Sequence, residues 1–272
     1  MSFRRNNNEI LREIQEYRIS SAHTNAAYKI PIENQFIFLK IYGHKQPRLT
    51  YEMRKFLGYF GLRQPIEYSS PIKRKNFEEG ILKHWRVNGY NVPSIVNNPL
   101  IALSTFPILT TKFIDGITLR ELIREEANEP RKKEEKLGAL FSEVADRHDR
   151  AFLNNDNRIF HIDANTRNII FTDEAIYHID FEMGRPWEPV MACACREVLK
   201  LLVSIAEDME PSSRESMFKL FKDCYRKEEV YQFIKKGIVE RPFQRVHRFR
   251  NSKKKMKNPG RVTLYDVLRH LF

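Results

Sequence analysis

The 272 residues are enough for one two-lobed domain or two small ones, and a hydrophobic content of 42% permits a sizeable core. The net charge is +12, and nine Lys or Arg with no acid lie between Arg241 and Arg261, a concentration that draws phosphates of nucleic acid, anionic lipid or an acidic substrate. Three cysteines (Cys193, Cys195 and Cys224) argue against a disulfide framework and fit a reducing cytoplasm, while no apolar leader and no apolar run of membrane-spanning length is visible, so membrane contact is expected to be peripheral.

In chain order, Glu9 to Arg18 reads as a helix with Ile10, Ile14 and Tyr17 on one face. Tyr28 to Ile30 and Phe36 to Tyr42 read as strands, joined by a hairpin through Pro31 to Gln35. Residues 43–75 form a long basic and aromatic connection. A helix is predicted from Lys75 to Val87, stopping near Gly89. Strands follow at Leu100 to Ser104 and at Ile108 to Phe113. Beyond Leu119 the pattern is mainly helical. Leu137, Leu140, Phe141, Val144 and His148 share one helix face, and Val190 to Ala206 reads as a largely buried helix. Two short strands between these helices are expected to end at His161 and at Ile179. The sum is an α+β chain with a division near Asp115–Gly116: residues 1–115 carry a sheet and the basic insertion 43–75, and residues 116–272 carry helices and the basic tail 241–261.

The string HIDANTRN, His161 to Asn168, followed by Asp180 in YHIDFEMG, has the residue types that phosphoryl transfer needs. That reaction depends on positioning and on compensating charge. Asp163 suits the carboxylate beside an incoming hydroxyl. Asn168 and Asp180 suit the ligands of Mg²⁺. Ile169 to Phe171, with Ile176 and Ile179, suit a strand pair that fixes Asn168 relative to Asp180. His161 is given a bracing role. Cys193-Ala-Cys195 with Cys224 and His178 makes a poor zinc site, and buried small side chains account for it better.

The H-x-D-x-x-x-x-N string and the I-D-F-E that follows resemble the protein-kinase-like superfamily in its small atypical branches. The resemblance implies a bilobal α+β fold, with an antiparallel-sheet N-lobe and a mainly helical C-lobe, and an ATP-dependent kinase using ATP and Mg²⁺. It implies that Lys40 in FLKIY contacts the α- and β-phosphates. It implies an acid on the following helix that pairs with this lysine: Glu79, counted back from Gly89, with Glu78 as the fallback. LTTKFIDGITLREL resembles the adenine-binding hinge, so the Lys112 carbonyl and Ile114 amide would face adenine. The phosphate-covering stretch SSAHTNAAYKI has no glycine; Ser21, Thr24 and Asn25 would donate to phosphate there, or simply form a polar hairpin. Glu182, in place of the family's usual glycine, would add a carboxylate toward metal or bond to the loop backbone.

The connection after Lys40 resembles the long basic insertion of bacterial kinases of the lipopolysaccharide core, which act on 3-deoxy-D-manno-octulosonic acid or heptose. An acceptor of that kind is an anionic glycolipid, and a cytoplasmic enzyme with basic segments would be drawn to the inner-membrane face. RIO-type serine/threonine kinases and aminoglycoside phosphotransferases are more distant likenesses, and a pseudokinase or binding module is the reading from another class. Nucleic acid is not favoured as a partner, since the tail offers only Phe243 and Phe249 as stacking platforms.

Overall fold

The FLKIY segment is a strand because its side chains alternate. Leu39 and Ile41 enter one apolar cluster, with Tyr28 and Ile108, while Tyr42 enters another and Lys40 points to the same side as Tyr42. The computed structural model describes residues 12, 14–22, 25–43, 70–97, 107–125, 130–182, 188–236 and 262–272. The side chains of Ser20 to Thr24, most of the 43–75 insertion, the strand expected at Leu100 to Ser104 and the 241–261 tail lie outside the described residues.

Four strands, β1 (Arg18–Ala22), β2 (Asn25–Ile32), β3 (Gln35–Tyr42) and β4 (Ile108–Lys112), form one antiparallel sheet in that order. The β2–β3 turn is Glu33-Asn34, with Ile32 paired to Gln35 and Glu33 at φ 50. The expected first helix is corrected at its end. Gln15–Tyr17 is a single 3₁₀ turn and Arg18 already begins β1.

Helix α1 spans Pro71–Val87, four residues longer at its start than the sequence pattern suggests. Ser70 caps it by accepting from the Lys73 amide, and Pro71 occupies the first helical position, where a missing N–H costs nothing. At the other end Gly89 sits at φ 82. Its amide donates to the Arg86 carbonyl and the Tyr90 amide to the Trp85 carbonyl, each at 3.0 Å, a Schellman closure. Tyr90 then packs edge-on against Trp85, with ring centroids 5.5 Å apart. The buried face of α1 is Arg74, Glu78, Ile81, Leu82 and Trp85, one stripe at helical spacing.

Past β4 come β5 (Ile117–Thr118), α2 (Leu119–Glu125), α3 (Pro130–Asn154), β6 (Ile169–Phe171), β7 (Ile176–His178), α4 (Val190–Asp208), α5 (Arg214–Cys224), α6 (Glu228–Ile234) and α7 (Leu264–Leu271). β5, β6 and β7 form a second antiparallel sheet. The strand expected to end at His161 is instead a 3₁₀ turn, Asn157–Ile159, started by Asp156 accepting from the Arg158 amide. Leu137, Leu140, Phe141, Val144 and His148 on α3 are all buried. Phe141 meets Phe221 of α5 edge-on at 5.1 Å. Gly116 is required by close approach, because a Cβ there would lie 2.5 Å from the Phe171 carbonyl oxygen.

The architecture is α+β. One unit, Met1–Asp115 with Asp180–Met183, carries the four-stranded sheet and α1; the other, Gly116–Ile179 with Gly184–Phe272, is mainly helical. The sequence division placed Asp180 with the helical part. It groups with the first unit because Asp180, Phe181 and Glu182 each bond or pack there. No helix among the described residues is long and apolar enough to cross a membrane.

Candidate functional site

Within the first unit, strand periodicity turns Lys40 toward α1, where Glu78 waits one helical turn beyond Arg74. The Lys40 ammonium donates to Glu78 Oε2 at 2.8 Å and to Asp180 Oδ1 at 2.5 Å. The Tyr42 hydroxyl, two residues along the same strand face, donates to the same Glu78 oxygen at 2.5 Å. Lys40 and Glu78 are both buried. Burial alone would lower the lysine pKa. The carboxylates of Glu78, Asp180 and Glu182 outweigh it and hold the ammonium above its ordinary range, so it stays charged. Burial beside Glu78 likewise pushes the Tyr42 phenol up and keeps it a donor.

The helix acid that pairs with Lys40 is therefore Glu78, and the expectation of Glu79 is corrected. Glu79 lies about 100° further round the helix. It bonds to Lys75 and to Lys83, one turn before and after it on the outer face, and these bonds hold its carboxyl below the usual range.

Asn25, expected to donate to phosphate, is engaged in the same unit: its Nδ2 donates to Glu182 Oε2 at 2.7 Å and its Oδ1 accepts from Arg74 at 3.0 Å. Ser21 lies in β1 opposite Ala26. Thr24 lies outside the described residues. Lys112 is the last residue of β4, its amide donating to the Ser94 carbonyl at 2.7 Å, and Ile114 follows it half-buried.

Asp180 has φ 67, a left-handed backbone that a non-glycine residue adopts at a cost. Both neighbours in the chain are tied down. The Ile179 amide donates to the Asn168 carbonyl at 3.0 Å, and the Phe181 ring meets Trp85 at 4.6 Å.

Within the second unit, Asp163 to Asn168 form a self-bonded loop. The Asp163 carbonyl accepts from Asn165 Nδ2 at 3.0 Å and from Asn168 Nδ2 at 3.1 Å. With its nitrogen turned to Asp163, Asn168 has its amide oxygen to offer a cation. Lys200, on α4, places its ammonium 3.2 Å from Asp163 Oδ1. Its pairing with Asp163 has no pattern in the sequence, although Arg196, Glu197 and Lys200 stand out as the three charges in the otherwise apolar stretch from Val190 to Ala206.

The loop is anchored from beneath. His161 Nε2 donates to the Ile179 carbonyl at 2.9 Å, so the bracing role is the one its contacts describe. Burial lowers its pKa and favours the neutral ring. The His161 amide donates to Glu197 Oε2 at 3.0 Å. Glu197 also accepts two bonds from Arg147, at 2.6 and 3.0 Å, and Arg147 donates to the Ile159 carbonyl at 2.9 Å. On the loop's other side Thr166 bonds Asp208, which is held in turn by Arg120 and Arg124. Cys193 and Cys195 are buried thiols in α4, and Cys195 Sγ faces the Val230 carbonyl at 3.8 Å. Among the described residues no group of three or more His, Cys, Asp or Glu could hold a metal ion.

No protein-family model matches the chain, and no curated protein matches it in sequence. Among solved structures it is similar to one described as WaaP in complex with acyl carrier protein. The two are 11% identical, with 85% of this chain and 86% of that chain covered and a TM-score of 0.48.

Proposed function

We propose that the chain is an ATP-dependent phosphotransferase that moves the γ-phosphate to a hydroxyl, with a sugar of the lipopolysaccharide core as the acceptor. The observation that carries this reading is the Lys40 ammonium, buried on a strand and held by the helix carboxylate of Glu78 and by Asp180. A buried, permanently charged ammonium aligned by a fixed carboxylate is suited to phosphate oxygens.

Mg²⁺ is a hard cation that takes one or two protein oxygens and completes its shell with phosphates and water. The Asp180 carboxylate and the Asn168 amide oxygen fit that donor set. Mg·ATP would supply the phosphoryl group and the cation that neutralises its charge. Asp163 orients the acceptor hydroxyl and takes its proton as the acceptor oxygen bonds to phosphorus and the bond to the leaving ADP oxygen breaks. Lys200 holds that carboxylate in place. The basic stretch between Arg241 and Arg261 and the basic connection after Lys40 support an anionic acceptor at the inner face of a membrane and, with it, a cytoplasmic enzyme.

Radiolabelled ATP, Mg²⁺ and purified lipopolysaccharide lacking core phosphate form the direct assay. Label is expected in the glycolipid, and the core from cells without the protein should be lighter by one phosphate in mass spectra. Label in a protein substrate with an unchanged core would replace this acceptor with a serine or threonine. An absence of nucleotide binding in the presence of Mg²⁺ would overturn the phosphotransferase reading.

A further inference from the structure

We infer that Glu182 and Arg74 are positioning residues, forming with Asn25 a buried clamp that sets the backbone of Asp180 for metal binding. This inference rests on the phosphotransferase reading for its consequence, though not for its geometry. Glu182 Oε2 receives Arg74 Nη1 at 2.9 Å and Asn25 Nδ2 at 2.7 Å, and Lys40 Nζ lies 4.0 Å away. Arg74 is only 2% exposed. It also bonds the Gly43 carbonyl, just past the end of β3, and stands 5.6 Å over the Tyr42 ring. The clamp therefore joins β2, β3 and α1 to the two residues that follow Asp180.

Three features separate this role from a second metal carboxylate. First, the Glu182 oxygen facing the cluster already accepts two charged or amide donors, and its side chain is 9% exposed against 36% for Asp180. Second, Arg74 is matched by Glu182, whereas Lys40 is shared by Glu78 and Asp180, and Asp180 is the most exposed of the three acids. Third, Asp180 holds a costly φ of 67, and such a conformation persists only where its flanks are fixed. The Ile179 amide, bonded to the Asn168 carbonyl, fixes the preceding side; on the following side Phe181 packs on Trp85 and Glu182 is held by the clamp.

Oriented supports of this kind, when removed, cost about 10–100-fold in metal affinity. Arg74→Met, Glu182→Gln and the double variant test the clamp, with the milder Asn25→Ala as the safeguard should loss of the buried guanidinium prevent folding. Two measurements are needed. Amide hydrogen exchange at Asp180 to Glu182 requires no nucleotide. The Mg²⁺ concentration that half-saturates ATP turnover reports on the metal. The clamp predicts faster exchange in each single variant and no further acceleration in the double. It predicts about a tenfold rise in half-saturating Mg²⁺ with a smaller change in kcat. Unchanged exchange in all variants overturns the clamp. A normal Mg²⁺ requirement in Arg74→Met beside a raised one in Glu182→Gln overturns it in favour of direct ligation by Glu182. Should the wild-type chain fail to turn over ATP, the phosphotransferase reading fails, and the exchange data alone still decide whether the clamp exists.

Discussion

Lys40 carries three carboxylate neighbours, and the consequence of losing each differs. Glu78 is buried, so Glu78→Gln removes the partner that aligns the ammonium without opening a cavity. Breaking a buried pair costs about 3–5 kcal/mol of folding stability, partly relieved here by Asp180. A misaligned ammonium also loses its aim at the phosphate oxygens, so a fall in kcat/KM of at least about tenfold is expected in steady-state assays of the folded variant. Glu79→Gln should change stability by about 0.5 kcal/mol or less and leave kcat/KM untouched, because its ion pairs lie on the outer helix face. Equal effects of the two substitutions would refute the assignment. The lysine was legible through the resemblance to the kinase-like superfamily, which points to Lys40 in the strand FLKIY. Its partner was misplaced by one residue because counting back from Gly89 ignores helix faces; the stripe Arg74, Glu78, Ile81, Leu82, Trp85 selects Glu78 instead. Lys200 was not legible, since its meeting with Asp163 depends on how α4 packs.

Glycines distinguish the elements from one another. Gly80 lies on the exposed face of α1, and a Cβ there meets nothing within 4 Å. Gly80→Ala should stabilise the protein by about 0.5–1 kcal/mol, chiefly by restricting the unfolded chain. Gly116→Ala drives a Cβ into the Phe171 carbonyl and should destabilise, and chemical denaturation of both variants reads the opposite signs. The extra first turn of α1 was present in the sequence as Ser70-Pro71, a cap followed by the favoured first residue. It was passed over because a proline in a charged connection reads as a loop. β1 was not legible as a strand: Arg18-Ile19-Ser20-Ser21-Ala22 has little apolar alternation, and pairing with β2 makes it one.

For the whole molecule, the two units each contain buried charge: in the first, burial raises the Glu78 carboxyl, and in the second three buried groups are shifted downward. Burial would raise the Glu197 carboxyl, but Arg147 and His148 outweigh it and hold it well below its ordinary range. Burial lowers the pKa of His148 and of His161. All three shifts are downward, so the native state binds fewer protons than the unfolded chain. The stability they contribute is complete above the ordinary histidine value of about 6.5 and is lost as pH falls, first through the histidines and then through Glu197. The melting temperature should drop between pH 7.5 and pH 5, and a flat profile would contradict this. Arg147→Met should cost about 3–5 kcal/mol, since it strands Glu197 in the core. None of this network was legible in the sequence beyond His148 on a buried face, because Arg147 and Glu197 are far apart along the chain and only folding makes them partners.

The central claim is that this chain transfers phosphate with Asp163 beside the acceptor, and the rate of ADP release from Mg·ATP in the presence of acceptor tests it most directly. The wild-type chain should turn over, Glu79→Gln should match it, and Asp163→Ala should be slower by about 10²–10⁴-fold. Equal turnover in Asp163→Ala and the wild type would contradict the account.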